Sequence, residues 1–186
     1  MCAICDFKIE FSVGHPRALT VAVATRKAIE AGLLRQIDGV DGALAQARLR
    51  ITAVDTLNGL QERIQESLSV DELLSLPDFY VLLIENDTWG FFHATPDGFD
   101  PDIVPELPDV LSENIDDRSL VIVTSQVALQ AWFDREIETS QLTTESLLFI
   151  DGPSDQRDDL LSVLKAAATD GVKARAMACP SLSLPV

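Results

Sequence analysis

Apolar and polar residues alternate from Phe7 to Val13 (FKIEFSV), the period of a strand with one buried face. Gly14 interrupts the pattern. Pro16 then suits the first turn of a helix, where its missing N–H has no partner to lose. That helix is expected over 17–34, apolar around most of its circumference and therefore largely buried. After an Asp41-Gly42 turn, Leu44, Ala47, Ile51, Val54, Leu57, Leu60, Ile64 and Leu68 recur at steps of three or four. One apolar stripe of that period predicts a second, longer helix. Ser69 reads as the cap of a short helical turn that Pro77 stops.

The period then changes. FYVLLIE and WGFFHA flank Asn86-Asp87-Thr88 and predict a β-hairpin over 79–94. A long connection over 95–117 follows, with Pro96, Pro101, Pro105 and Pro108 among eight acids and no base. It is expected to be irregular, or weakly helical near Val110 and Leu111. The last third alternates: a strand at 120–124, a helix at 126–138, a strand at 147–150, a helix at 155–169 and a final strand at 172–177. Alternation of this kind implies crossover units and some parallel pairing. The fold class expected is α/β (or α+β): a single domain over 1–186, with a mixed five- to six-stranded sheet and helices packed on it.

Composition narrows the setting. With 47% hydrophobic and 24% charged residues the chain has the balance of an ordinary globular protein rather than a disordered one. The N-terminus lacks the basic and apolar regions of a signal peptide, and the most apolar run, ALTVAVA, is too short to span a bilayer. Three cysteines do not make a secreted disulfide scaffold, so a reducing, cytoplasmic setting is expected. The net charge of −16 is concentrated: from Asp78 to Asp170 there are 20 acids against 4 bases. A surface of that sign repels phosphate backbones, which disfavours nucleic acid and leaves a basic protein or a small ligand as the expected partner.

Three groups of residues carry candidate chemistry. Cys2 and Cys5 form a CxxC pair, half of a tetrahedral zinc site, for which His15 and Cys179 are the remaining soft ligands considered. The pair precedes a strand rather than a helix N-terminus, so the thiol activation of a redox CxxC is missing. The opening MCAIC resembles the MCGI start of class II glutamine amidotransferases, which implies Cys2 as an N-terminal nucleophile. Ala3 replaces the glycine of that motif and the rest of the pattern is missing, so the family is not assigned. The second group is formed by turns that follow predicted strands, at His15, Ser125 and Asp151. If those strands are parallel, the turns meet at one sheet edge and offer a base, a hydroxyl and a carboxylate, the residue types of a hydrolytic triad. The third is Asp97, Asp100 and Asp102 on the acidic connection, oxygen ligands for calcium or part of a docking strip for a basic partner. No glycine-rich phosphate loop is present.

Three functional expectations follow. The first is a regulatory or accessory protein that acts by binding. The second is a small hydrolase or transferase using His15, Ser125 and Asp151, and the third a metal- or thiol-dependent protein using Cys2 and Cys5.

Overall fold

The computed structural model describes residues 14–36, 43–85 and 87–177. Helix α1 is Ala18–Glu30, and the long apolar stripe forms α2, Ala43–Ser67. The turn expected after Ser69 is α3, Val70–Leu74. The Ser69 hydroxyl accepts from the Glu72 N–H, and the Glu72 carboxylate accepts in return from the Ser69 N–H at 2.8 Å. This reciprocal box satisfies two donors that a helix start otherwise leaves open.

The hairpin forms as strands β1, Phe79–Leu83, and β2, Thr88–Phe92, with Phe79 opposite Phe92 and Leu83 opposite Thr88. A small ribbon follows, β3 at Ala94–Thr95 and β4 at Gly98–Phe99. Gly98 has φ +120, a backbone conformation that L side chains rarely adopt, so the turn favours glycine, and the end of the Gln65 side chain on α2 packs close to it. Strand β5 is Val121–Thr124, α4 is Gln126–Phe133, α5 is Thr139–Thr144, β6 is Leu148–Asp151 and α6 is Ser154–Met177.

The main sheet has four strands in the order β2-β1-β5-β6. β1 and β5 are parallel, and the two outer pairings are antiparallel. The expected α/β class with a mixed sheet is therefore observed, with fewer strands in the sheet than the five to six expected.

Three local expectations change. Residues 172–177 are not a strand but the end of α6, because Lys173, Ala174, Arg175, Ala176 and Met177 are strong helix formers. The helix expected over 126–138 is split: Arg135 takes φ 61, α4 stops, and α5 starts afresh. α1 buries only a narrow stripe, Val21, Thr25 and Ala28, and leaves Leu19 and Val23 exposed. The strand expected at 7–13 lies outside the described residues.

β1 is buried on both faces, as expected of a strand with neighbours on either side. Phe79, Val81 and Leu83 face a thick layer in which Leu57, Leu60 and Ile64 of α2 meet Leu129 of α4 and Leu160 and Leu164 of α6. Tyr80 and Leu82 face the other way, with Val121, Val123 and Trp89, against Val21 of α1 and Val110 of the acidic connection.

Candidate functional site

The direction of β6 decides where the candidate residues meet. It pairs with β5 so that Val121 lies opposite Asp151 and Thr124 opposite Leu148. The carboxyl ends of β5 and β6 therefore lie at opposite ends of the sheet, and the common edge expected of parallel strands does not form. His15 and Asp151 come together at one end, while Ser125 stands at the other.

Asp151 closes β6, and Gly152 follows it with φ +125. A Cβ at Gly152 would lie 3.0 Å from the Leu120 Cα, so this turn requires glycine and delivers the chain directly into α6. His15 sits just ahead of α1 and is buried. Its Nδ1 accepts from the Arg17 N–H at 3.0 Å. Nδ1 is thus the unprotonated nitrogen, and Nε2–H donates to the Asp151 carboxylate at 3.2 Å. Burial pushes the His15 imidazole below its ordinary range, and the nearby carboxylate only partly opposes this. A buried neutral histidine in this tautomer fastens the start of α1 to the end of β6.

Arg118 completes the cluster. Its Nη1 lies 3.2 Å from Asp151 Oδ2, and its Nε donates to the Ser112 carbonyl at 2.7 Å. The guanidinium joins the acidic connection to the sheet, and its charge is met by Asp151. Asp78, just before β1, accepts from His93, just after β2, at 2.8 Å along the same sheet end. Arg118 was not among the expected site residues. Its signal was present nonetheless, as the single base between Asp78 and Asp134.

Residues 100–117 run across this end as a strap that is irregular up to a single 3-10 turn at Ile115–Asp117. The Tyr80 hydroxyl donates to the Glu106 carbonyl at 2.8 Å, and Pro108 and Val110 are buried. The Asp109 N–H donates to the Ser119 hydroxyl at 2.9 Å, and the Ser119 N–H to the Asp109 carbonyl at 2.8 Å. The Asp109 carboxylate accepts from the N–H groups of Leu111 and Ser112, which hold it below the usual carboxylate range. The strap thus follows a fixed path, yet it leaves Val104 90%, Leu111 71% and Leu107 62% exposed.

The other expected site residues are placed differently. Ser125 is fully buried and caps α4, accepting from the Ala128 N–H at 3.2 Å and from the Thr25 hydroxyl at 3.1 Å. Both ring nitrogens of His15 are engaged, and Cys2, Cys5 and Cys179 lie outside the described residues. Among the described residues no three histidine, cysteine or acidic side chains are placed to hold a metal ion. The Asp100 carboxylate accepts from the Asp102 N–H at 2.8 Å, a local turn of the strap. Among the described residues no helix is long and apolar enough to cross a membrane.

No protein-family model matches the chain, and no curated protein or solved structure resembles it at a significant level.

Proposed function

We propose that the protein acts by binding, as a regulatory or accessory protein, and that the strap over 100–117 docks a basic partner that also presents apolar side chains. The observation that carries this reading is the exposure of Val104, Leu107 and Leu111 on a backbone held in place by hydrogen bonds. Apolar side chains left in water favour burial by about 25 cal/mol per Å² covered. A strap already ordered has less conformational entropy to lose when a partner arrives. Asp100, Asp102, Glu106, Glu113, Asp116 and Asp117 lie among those apolar positions. Their sign selects a basic partner and steers its approach. A cytoplasmic setting belongs to the same proposal and is supported by the sparse cysteine content.

The test uses a fluorescently labelled synthetic peptide of alternating arginine and leucine, with binding followed by anisotropy. A Val104→Ser, Leu107→Ser, Leu111→Ser variant keeps every charge and is expected to bind about tenfold more weakly or worse. Affinity for the parent protein is expected to fall as salt rises through the physiological range, where screening shortens. Equal affinity for parent and variant, or binding that ignores salt, overturns the proposal.

A further inference from the structure

A cleft of about 390 Å³ opens at the foot of the strap, a size at the small end of ligand clefts. Asp78, Glu106 and Asp116 contribute three carboxylates to its lining, and Tyr80 and Phe91 contribute aromatic rings. The Tyr80 and Phe91 centroids are 4.8 Å apart, and Phe91 stacks in turn with His93 at 6.5 Å and 13°. Burial first, and then the Asp78 and Glu106 carboxylates, push the Tyr80 phenol above its ordinary range, so both negative fields reach this one hydroxyl. Arg118 also lines the cleft, but Asp151 meets its charge and the Ser112 carbonyl takes its Nε. Counting that pair as neutral, and with Asp78 bonded to His93, the Glu106 and Asp116 carboxylates remain in the lining beside the aromatic rings.

We infer that this cleft receives one cationic side chain, a guanidinium or an ammonium, from the partner that docks on the strap. Carboxylates and aromatic faces both attract a cation, and the two effects add where the site is partly desolvated. The cleft opens beside Glu106, the strap residue whose carbonyl holds the Tyr80 hydroxyl, so one basic segment reaches both the apolar strap and the cleft. This inference deepens the docking proposal and rests on it for the partner. The chemistry of the cleft itself can be tested without that partner.

Tyr80 is the only tyrosine of the chain, so its ring resonances report on the cleft without ambiguity. The probes are N-acetyl-arginine amide and N-acetyl-lysine amide, with N-acetyl-citrulline amide as a neutral control of nearly the same shape. A saturable shift of the Tyr80 ring is expected with the cationic probes and none with the control. In a Glu106→Gln, Asp116→Asn double variant, which keeps the Glu106 carbonyl, affinity is expected to fall about fivefold to tenfold. A thermal melt matching the parent shows that the variant is folded. No saturable shift with either cation, an equal shift with citrulline, or unchanged affinity in the variant overturns the inference.

The two proposals fail separately. If the three serine substitutions weaken peptide binding while both amides leave Tyr80 unmoved, the cleft fails and the docking reading stands. If the amides bind while the serine variant holds the peptide as tightly as the parent, the docking reading fails and the cleft stands as a cation site.

Discussion

The two ends of β5 solve the same problem with different chemistry. Where the strand ends, Thr124 donates to the Leu147 carbonyl and Ser125 takes the Thr25 hydroxyl and the Ala128 N–H. These groups are uncharged, buried and paired over short distances, and the cluster seals α1 and α4 against the sheet. Where the strand begins, the polar groups include ions, the Arg118 guanidinium and the Asp151 carboxylate. His15 and Arg118 converge on Asp151, and an open cleft with three further carboxylates lies beside them. Hydroxyls can close a sheet end at little desolvation cost, whereas ions are expensive to bury and bind their neighbours tightly once buried. The contrast separates an end built for closure from an end whose charge remains available to a partner.

The contrast can be tested by removing one member from each end. Asp151→Ala leaves Arg118 and His15 without their shared acceptor and is expected to cost about 3 kcal/mol in urea unfolding, as when one partner of a buried pair is removed. Ser125→Ala removes a cap and the acceptor of the Thr25 hydroxyl, for an expected cost of about 1–2 kcal/mol in the same assay. Equal costs at the two ends would erase the distinction.

A pH series sharpens the comparison further. The folded-state pKa of His15 lies below its unfolded value of about 6.5, so on acidification the unfolded chain takes the proton first. Its contribution to stability is therefore full above about pH 6.5 and falls below it, by at most about 1.4 kcal/mol per pH unit. His15→Gln should flatten that part of the profile, and Ser125→Ala should leave its shape unchanged. The smallest effect is expected on the strap. Val104→Ser should move the melting free energy by no more than about 0.5 kcal/mol, since the side chain is exposed, while still weakening binding of the arginine–leucine peptide.

The elements with a strong period were legible in the sequence. The stripe from Leu44 to Leu68 and the two runs around Asp87 specify α2 and the hairpin without help from the rest of the chain, and Ser69 announces its own capping box. The direction of β6 was not legible. Four residues of strand carry no mark of parallel or antiparallel pairing, and the chain between β5 and β6 holds two helices where one was expected. α5 was hidden because its sequence, TSQLTT, presents a single apolar residue, Leu142. With β6 reversed, Asp151 moves away from Ser125, so the three residue types considered as a triad split into a pair and a helix cap. Arg118 shows the converse case. It stood out by its charge, but its partner Asp151 lies 33 positions away and becomes visible only in the fold.

The strap has a further consequence, for folding. The hairpin of β1 and β2 is local, but β1 reaches β5 only after the whole connection from His93 to Leu120 has closed into a loop. Closure entropy grows only with the logarithm of loop length, so the length of this connection is itself a small cost beside the contacts that fix its path. The rate at which β1 finds β5 is the quantity most exposed to the strap, through contact order and the mutual repulsion of its acids. Within the segment proposed to recognise a partner, the exposed Val104, Leu107 and Leu111 can vary at little cost to the fold, whereas buried Val110 and the bonds of Glu106, Asp109 and Ser112 fix its path.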